Sequence, residues 1–446
     1  MRFSQIYDRI NFVCSMHWRD PINLESALKR KIKEEWSILS ELLEKVKEKL
    51  KAYGQENALR FFDELDEAQK EAFLKEILDT DLSVVAQYGK KADERGEFSP
   101  IRTMQLDEIE NRREEFRSIG IENLREGKTA ALLLAGGMGT RLGSDNPKGM
   151  YNIGLTKDVY IFQRIIENLL DVVHESGATP RLFIMTSDKN NDATVAFLKE
   201  KNYFGYPENR VNFFRQEMAP ACDYEGQLYL EGKGKLATSP NGNAGWYSSL
   251  IKAGLDSVIR EEGIEWINVF AVDNVLQRIC DPGFIGATIE AGVESGSKVV
   301  RKAAPDEKVG VMCLEDGRPS IVEYYELSDE MMEAKDEKGE PAYNFGVILN
   351  YLFKVSALDR IARESMPLHV VEKKIPYIDE KGELVKPSEP NGYKFEQLVL
   401  DVIHMLDSCL PYEVEREKEF APIKNPTGVD SVESARELCR KNGIEL

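Results

Sequence analysis

One glycine-rich segment combines an exposed backbone with two positive charges. It runs from Leu132 to Met150 and has the sequence LLLAGGMGTRLGSDNPKGM. Glycine has no Cβ, so backbone N–H groups can lie directly against a ligand, and loops of this kind bind phosphate groups or the edge of a base. Two cations within reach of one loop can hold a triphosphate. The residues concerned are Gly136, Gly137, Gly139, Arg141 and Lys148.

The spacing of these residues fits neither of two common nucleotide-binding loops. The dinucleotide fingerprint requires G-x-G-x-x-G. Gly137 and Gly139 fit it, but Leu142 occupies the place of the third glycine, which comes one residue late at Gly143. The P-loop requires Gly-Lys-Ser/Thr, whereas Lys148 is followed by glycine. Both of these loops are therefore poor descriptions of the segment.

A nucleotidyltransferase loop fits the same segment without a mismatch. Its pattern is G-x-G-T-R-L/M followed by Pro-Lys, which matches Gly137–Leu142 and then Pro147 and Lys148. An ordinary turn between a strand and a helix would need neither the arginine nor the Pro-Lys pair at these spacings. The segment therefore predicts nucleotidyl transfer, with Arg141 and Lys148 contacting phosphates.

Short apolar runs alternate with helix-like stretches around this loop. Strands and helices that alternate in units of about 30 residues predict right-handed crossovers and a Rossmann-like α/β core with a mixed, mainly parallel sheet. Ligands of such sheets bind beyond the carboxyl ends of the strands, where the glycine-rich loop begins. The predicted strands cover 130–135, 181–187, 211–214 and 267–274, and a helix is predicted within 159–176.

Apolar residues at helical spacing amid charge characterise the first hundred positions, for example at 56–78. A polar stretch with Gly and Pro at 89–100 marks a boundary. Further along, 297–327 is predicted to form β-hairpin insertions, and 394–406 a helix with Phe395 on its apolar face. The predicted organisation is a helical N-terminal region at 1–100, a catalytic domain at 101–425 and a short tail at 426–446.

Composition and charge limit the classes of function. The chain has 78 acidic and 59 basic residues, a net charge of −19, whereas nucleic-acid binding normally needs the opposite sign. No apolar run is long enough to span a membrane, and charged residues interrupt the start of the chain where a signal peptide is apolar. The six cysteines and four histidines are scattered, which argues against a disulfide framework or a histidine metal site. We expect a cytoplasmic protein that binds neither nucleic acid nor membranes.

The loop and a series of later motifs together resemble one family. LAGGMGTRLGSDNPKGMYNIGL is similar to the loop of eukaryotic-type UDP-N-acetylhexosamine (UDP-N-acetylglucosamine) pyrophosphorylases, within the wider UDP-sugar pyrophosphorylase group. The resemblance implies a GT-A-like nucleotidyltransferase core and formation of UDP-sugar and pyrophosphate from UTP and a sugar 1-phosphate, with N-acetylglucosamine 1-phosphate as the first choice. The later motifs, in the family's order, include QEMAPACD (216–223), SPNGNAGWY (239–247), EKVGVM (307–312), IVEYYELS (321–328), YNFGVILN (343–350) and FAPIKN (420–425).

The resemblance also implies roles in binding UTP. Gln216 would contact the uracil edge together with backbone groups near Gly136 and Gly137, since an amide offers both a donor and an acceptor. Gly242 would lie against the base. Arg141 would then stabilise the β- and γ-phosphates that leave, and Lys148 the α-phosphate.

Two further residues are expected at the phosphates. By resemblance, Lys424 reaches back to them from late in the chain. Asp273 ends a predicted strand, where a carboxylate can hold Mg²⁺ or Mn²⁺, although a helix N-cap is an alternative for this residue. In-line attack on the α-phosphate needs no covalent enzyme intermediate, so catalysis would consist of positioning and charge stabilisation.

The sugar would contact Asn243, Glu323, Asn344 and the backbone at Gly310. Two departures from the family lie nearby: Phe345 and Val347 stand in an Asn-Phe-Gly-Val sequence where the family usually has Asn-Ala-Gly-Asn, and Ala244 replaces a glycine. Phe345 could narrow the pocket or simply pack. The choice among N-acetylglucosamine, N-acetylgalactosamine and glucose 1-phosphates therefore stays open.

Three other functions compete with this hypothesis. One is a UTP–glucose-1-phosphate or broad-specificity UDP-sugar pyrophosphorylase. Another is an NAD-dependent oxidoreductase, for which Asp188 is about fifty residues downstream of the loop instead of about twenty. The third is an inactive nucleotide-binding scaffold, which would not need Arg141, Lys148, Asp273 and Lys424 together. Only 21 residues follow Asn425, fewer than the family's β-rich C-terminal domain requires, so we expect a monomer.

Overall fold

The computed structural model describes residues 21–89, 95–364 and 366–446, with the side chains of the first helix described from residue 37. The helices are α1 (Pro21–Ala52), α2 (Glu67–Asp79), α3 (Leu106–Asn111), α4 (Arg113–Arg125), α5 (Ile161–Ser176), α6 (Asn191–Glu200), α7 (Trp246–Lys252), α8 (Asp256–Glu262), α9 (Pro282–Glu290), α10 (Asp329–Glu333), α11 (Val355–Ile361), α12 (Val399–Met405), α13 (Arg416–Glu419) and α14 (Val432–Lys441). The strands are β1 (Phe98–Pro100), β2 (Thr129–Leu134), β3 (Leu182–Thr186), β4 (Val211–Arg215), β5 (Met218–Pro220), β6 (Cys222–Asp223), β7 (Leu230–Gly232), β8 (Lys235–Leu236), β9 (Thr238–Pro240), β10 (Trp266–Ala271), β11 (Ser295–Arg301), β12 (Val311–Glu315), β13 (Arg318–Val322), β14 (Phe345–Lys354), β15 (His369–Lys373), β16 (Tyr377–Ile378), β17 (Leu384–Val385), β18 (Gly392–Glu396) and β19 (Cys409–Glu413).

The described chain divides into two units. The first contains the described residues up to 89 together with 219–239 and 370–395, and the second contains the rest. All the residues predicted to bind substrate or metal lie in the second unit. No helix within the described residues is both long and apolar enough to cross a membrane.

A ten-stranded mixed sheet forms the centre of the second unit. Four neighbouring strands, β10, β2, β3 and β4, run parallel. β14 lies antiparallel on the other side of β10 and also pairs with β11, which runs parallel to β19. Beyond them β12 joins β14, β13 and β1. The mixed α/β sheet expected from the sequence is confirmed, and its antiparallel strands reach the middle of the sheet.

Alternate residues of β2 explain why helices cover both faces. Successive side chains of a strand point to opposite faces, and every residue of β2 is buried. Ala131 and Leu133 pack in one core cluster with residues of α5. Leu132 and Leu134 pack in a second cluster with residues of α7. A parallel strand that is buried on both faces is apolar throughout, which is the pattern that predicted it.

The predicted strands of this sheet are confirmed as β2, β3, β4 and β10, and the predicted helix as α5. The hairpin prediction is confirmed at β12 and β13, whose turn has positive φ at Asp316 and Gly317. The helix predicted at 394–406 is wrong in its first part, because Phe395 lies in β18 and α12 begins only at Val399. The N–H of Leu398 donates to the Asp401 carboxylate at 2.9 Å, and this cap starts the helix after an extended segment.

The first unit contains the N-terminal helices. α1 and α2 are joined by Lys49, whose Nζ donates to the carbonyls of Leu78 and Thr80 at 2.7 and 2.6 Å. Between them, 56–65 forms two short 3-10 turns instead of the predicted regular helix. A capping box between Asp66 and Gln69 begins α2, which explains why the helical spacing upstream is not continued as one helix.

The last residues of the chain hold a packed helix. Val432, Ala435 and Cys439 of α14 are buried in the main core cluster of the second unit. Arg436 Nε donates to the Ile153 carbonyl at 2.8 Å. This segment therefore supports the region just before it, which carries Lys424.

Candidate functional site

The glycine-rich loop leaves the carboxyl end of β2 and folds back on itself. The N–H of Gly139 donates to the Asn146 carbonyl at 2.8 Å, and the N–H of Lys148 donates to the Gly137 carbonyl at 3.1 Å. Asn190 Nδ2 donates to the carbonyls of Ala135 and Gly137 at 2.9 and 3.2 Å. None of these bonds uses the N–H groups of Gly136 or Gly137, so these two N–H groups are placed to contact a ligand.

Gly136 lies against the amide of Gln216. A Cβ at position 136 would be 2.8 Å from Nε2 and 2.9 Å from Oε1 of that side chain. Gln216 directly follows β4, is 8% exposed, and its N–H donates to the Thr186 carbonyl at 2.8 Å. A Cβ at Gly137, in contrast, would meet nothing within 4 Å. Two residues expected at the uracil edge are thus neighbours, beside a loop position that is open on one side.

Four of the predicted phosphate- and metal-binding residues gather at the same edge of the sheet. Lys148 Nζ lies 3.8 Å from Asp273 Oδ2, and both side chains are largely buried. Burial lowers the pKa of Lys148; the Asp273 carboxylate opposes this change, while Lys424 and Arg141 add to it. Arg141 lies in the same loop as Lys148, and the residue before Lys424 is hydrogen-bonded to the Asp273 backbone. The fold therefore brings the four charged residues to one edge of the sheet.

Lys424 comes to this edge from the segment after α13. The N–H of Ile423 donates to the Asp273 carbonyl at 2.9 Å. Lys424 Nζ lies 3.0 Å from Asp430 Oδ2, to which it donates a hydrogen bond. The backbone is thus fixed beside Asp273, while the ammonium group is held by a single carboxylate.

The turn that carries Gly242 and Asn243 is fixed against the start of α12. Gly242 has φ +95°, and a Cβ there would lie 2.0 Å from the Gln397 carbonyl oxygen, so no other residue fits without moving the backbone. Asn243 Oδ1 accepts a hydrogen bond from the N–H of Val399 at 2.9 Å. The side-chain oxygen of Asn243 is therefore occupied within the protein, and its role at the sugar stays a prediction.

Gly310 and Glu323, two of the residues expected at the sugar, lie close together. A Cβ at Gly310 would be 3.5 Å from Glu323 Oε1, and the Gly310 carbonyl accepts from the N–H of Val347 at 2.9 Å. Burial and the neighbouring Glu326 carboxylate raise the pKa of Glu323, against the effect of Arg95. A carboxylate at this position can accept hydrogen bonds from hydroxyl groups.

Asn344 lies at the start of β14, on a cavity of about 290 Å³. Its carbonyl accepts from the N–H of Lys302 at 2.8 Å. The next residue, Phe345, packs in the core, with the Arg301 guanidinium 5.1 Å from its ring centroid. Phe345 is thus a packing residue. The cavity is lined by Arg301, Lys302, Ala303, Ala304, Pro305, Leu327, Met332, Glu340, Pro341, Tyr343 and Asn344.

Arg95 was not anticipated from the sequence, and it joins β12 and β13 of the hairpin. Its guanidinium donates to Glu315 through Nε and Nη2, each at 2.8 Å, and to Glu326 through Nη1 at 3.0 Å. Glu326 in turn accepts from the N–H of Glu323 at 2.9 Å. No local motif surrounds Arg95, so only the fold could reveal this link.

A divalent metal at this edge of the sheet would have one carboxylate ligand from the protein, Asp273. Within the described residues, no three His, Cys, Asp or Glu side chains form a cluster that could hold a metal by themselves. Mg²⁺ commonly uses one or two carboxylates together with substrate phosphates and water. Asp273 fits that pattern, since its contact with Lys148 at 3.8 Å is too long for a tight hydrogen bond.

Known proteins resemble this chain in both sequence and fold. Residues 85–441 match the family model described as UTP–glucose-1-phosphate uridylyltransferase. The chain is 39% identical to a UDP-N-acetylglucosamine pyrophosphorylase of Saccharomyces cerevisiae, over 74% of this chain and 72% of that protein. It is 37% identical to the UDP-N-acetylhexosamine pyrophosphorylase-like protein 1 of Mus musculus, over 86% and 81%.

A solved structure agrees with these relatives. The uridine diphosphate N-acetylglucosamine pyrophosphorylase of Trypanosoma brucei, solved with an inhibitor, superposes with a TM-score of 0.74 at 27% identity, covering 88% of this chain and 83% of that one. An NAD-dependent oxidoreductase is thereby excluded, and the nucleotidyltransferase loop is confirmed as the correct interpretation. The chain belongs to the UTP–glucose-1-phosphate uridylyltransferase family, among its UDP-N-acetylhexosamine pyrophosphorylase relatives.

Proposed function

We propose that the protein forms a UDP-sugar and pyrophosphate from UTP and a sugar 1-phosphate, with N-acetylglucosamine 1-phosphate as the preferred substrate. The observation that carries this proposal is the gathering of Lys148, Arg141, Lys424 and Asp273 beside a glycine-rich loop. Three cations and one carboxylate suit a triphosphate with its metal. The names of the relatives support the choice of sugar.

The reaction is a direct displacement at phosphorus. A phosphate oxygen of the sugar 1-phosphate attacks the α-phosphorus of UTP, and the bond from that phosphorus to the bridging oxygen of the β-phosphate breaks. Pyrophosphate leaves with the electron pair. Lys148 stabilises the charge on the α-phosphate, and Arg141 and Lys424 stabilise the charge that develops on the leaving group.

Gln216 supplies base recognition in this proposal. Its amide is buried beside Gly136, and one amide can donate to a uracil carbonyl and accept from the uracil N3–H. Cytosine presents the opposite pattern at these positions, and the amide discriminates between the two bases when it is held in one orientation. A buried polar group that is left unpaired by the wrong base lowers affinity more than a lost exposed contact would.

Asp273 would hold a Mg²⁺ or Mn²⁺ ion in this proposal. A bound divalent metal would supply additional positive charge to the phosphates. The protein's own contribution is then the fixed position of Asp273. This residue follows β10, and its backbone carbonyl accepts a hydrogen bond from the N–H of Ile423.

The sugar would bind on the side of Gly310, Glu323 and Asn344. Two contacts of the sugar hydroxyl groups could come from Glu323 and the Gly310 backbone, which lie together. Glucose 1-phosphate is the second candidate substrate, because the family takes its name from a uridylyltransferase of glucose 1-phosphate.

We also propose that the enzyme is cytoplasmic and monomeric, and that it binds neither nucleic acid nor membranes. The net charge of −19 supports this, because like charge opposes both self-association and binding to anionic surfaces. Size-exclusion chromatography with light scattering measures the mass in solution. We expect 50.7 kDa, and twice that mass would contradict a monomer.

One assay tests the proposed function. Pyrophosphate release from UTP is measured with N-acetylglucosamine, N-acetylgalactosamine and glucose 1-phosphates, each with and without Mg²⁺. We expect the highest kcat/KM with N-acetylglucosamine 1-phosphate and Mg²⁺. Release with none of the three sugars would contradict the proposal, and a preference for glucose 1-phosphate would correct the substrate alone.

A further inference from the structure

A lysine that no substrate can reach lies in β11 and is paired with the segment that leads to Lys424. Lys298 in β11 is 0% exposed. Its Nζ lies 3.0 Å from Asp281 Oδ2 and 2.6 Å from Glu419 Oε2, and donates to the Arg278 carbonyl at 3.1 Å. Burying a charge is costly unless it is fully paired. Such a group therefore calls for an explanation beyond packing.

Glu419 is the member of this cluster that leads to the proposed site. It is the last residue of α13, and its carboxylate also accepts from the N–H of Arg278 at 3.2 Å. Its carbonyl accepts from Asn274 Nδ2 at 2.7 Å. Both ends of Glu419 are thus fixed, the carboxylate by Lys298 and Arg278 and the carbonyl by the residue that follows Asp273.

Asn274 continues the connection toward Lys424. Its side chain is 1% exposed, and Oδ1 accepts from the N–H of Ala421 at 2.9 Å. Asn274 forms a backbone bridge with Pro422, and the N–H of Ile423 donates to the Asp273 carbonyl. The segment from Glu419 to Ile423 is therefore bonded at four of its five residues to the turn that carries Asp273, and the next side chain is Lys424.

We propose that Glu419, fixed by Lys298, is a positioning residue that sets where the Lys424 ammonium lies in the transition state. This inference rests on the proposed role of Lys424 at the phosphates. Without the buried ion pair, the segment from Glu419 to Lys424 keeps its bonds to Asn274 but loses its anchor on β11. A shift of about 1 Å in a catalytic group can cost about a hundredfold in rate.

A double-mutant cycle tests the inference. Glu419→Gln keeps the shape of the side chain and removes the charge, while Lys424→Ala removes the group being positioned. We expect Glu419→Gln to lower kcat by about tenfold to a hundredfold, with KM for UTP little changed, and to have no further effect on kcat in the Lys424→Ala background. Coupled residues show such non-additivity, whereas independent ones add.

Two additional variants separate positioning from general loss of stability. Glu262→Gln removes a carboxylate that pairs with Arg181 and Arg210 near the opposite end of the parallel strands, so it should lower the thermal midpoint without lowering kcat. If Glu419→Gln does not fold, Lys298→Met combined with Glu419→Gln removes the Lys298–Glu419 pair and leaves Asp281 its contact with Arg278 Nε at 3.3 Å. This double variant then replaces Glu419→Gln in the same cycle, since replacing a buried pair is tolerated better than breaking it.

The outcomes distinguish the inference from the proposed function. An equal loss of kcat on Glu419→Gln with and without Lys424 would overturn the positioning role alone. Unchanged kcat in Lys424→Ala would overturn both the assigned role of Lys424 and the inference. A loss confined to the wild-type background, with Glu262→Gln fully active, supports the positioning role.

Discussion

The Lys148 ammonium lies 3.8 Å from a carboxylate oxygen of Asp273. Lys148 belongs to the loop after β2, and Asp273 follows β10. These strands are neighbours and pair in parallel up to Leu134 and Ala271, so both loops leave the sheet at the same edge. The register of two strands therefore sets the distance between the proposed phosphate-binding cation and the proposed metal ligand.

Replacing Lys148 should affect turnover far more than stability. Lys148→Met is expected to lower kcat by about a hundredfold or more, because a positioned charge at the α-phosphate acts mainly in the transition state. Steady-state kinetics and thermal unfolding measure the two effects. Lys157→Met, an exposed lysine of the same region, serves as the control and should retain full activity. Equal activity of both variants would contradict the assigned role of Lys148.

Alanine at two adjacent glycines should have different consequences. At Gly137 a Cβ would meet no protein atom within 4 Å, so Gly137→Ala should leave the thermal midpoint unchanged but raise KM for UTP, because the methyl group occupies ligand space. At Gly136 the Cβ would meet the Gln216 amide at 2.8 Å, so Gly136→Ala should also displace that amide and weaken the preference for UTP over CTP. Unchanged KM for UTP in Gly137→Ala would show that no ligand lies against the loop.

The pKa of Lys148 predicts how pyrophosphate binding depends on pH. Burial lowers this pKa, Asp273 raises it, and Lys424 and Arg141 lower it. Because only the charged form attracts phosphate, affinity should fall as pH rises through the Lys148 pKa, below the pH at which ordinary lysines titrate. Lys424→Gln should move this loss to higher pH, and Asp273→Asn should move it to lower pH.

Calorimetric titrations with pyrophosphate in the absence of metal, from about pH 7 to about pH 10, span the range of a lowered lysine pKa. The midpoint of the affinity loss is compared between variants, separately from the affinity itself. Shifts of the two midpoints in the same direction would contradict the arrangement of charges around Lys148.

Glu315 should make stability depend on pH in acid. Burial would raise its pKa, but hydrogen bonds from Arg95, the Gly96 N–H and Ser320 lower it to about 2. A folded-state pKa below the unfolded value means that the stabilisation is complete above about pH 4.5 and is lost as pH falls toward about 2. The contribution is on the order of 3 kcal/mol. The difference in unfolding free energy between wild type and Glu315→Gln should therefore narrow as pH falls below about 4.5.

Urea denaturation at several pH values measures that difference. Glu114→Gln, at an exposed side chain, is the matched control and should match wild type throughout. A difference in unfolding free energy between wild type and Glu315→Gln that stays constant with pH would contradict the stabilising role of the Arg95–Glu315 ion pair.

Three strands of the parallel half of the sheet were predictable because they are buried on both faces. The apolar runs of β2, β3 and β10 have no alternation that could be confused with a surface strand. β4 lies at the edge of the sheet, and only its Phe214 is buried. The junction at 392–405 was not predictable, because Phe395, Val399 and Val402 fit helical spacing although a strand precedes the helix. The cap at Asp401 that separates them depends on a side-chain bond that apolar spacing does not reveal.

The site was predictable where chemistry is local in sequence and unpredictable where it is not. Arg141 and Lys148 share one loop with the glycines, so the motif alone predicted that these two cations lie in one loop, and their contacts with phosphates stay a prediction. Arg95 and Lys298 lie in segments without any motif, and their roles follow only from partners far away in the chain. Asn274 stands beside Asp273, but a single asparagine gives no sign that it joins two segments.

The fate of the phosphorus atoms in UTP tests the central claim most directly. The protein is incubated with Mg²⁺, N-acetylglucosamine 1-phosphate and UTP that carries ³²P at either the α- or the γ-phosphate, and the products are separated. The account predicts that the α-label appears only in the UDP-sugar and the γ-label only in pyrophosphate. Appearance of the γ-label as inorganic phosphate, or of either label on the protein, would contradict direct uridylyl transfer.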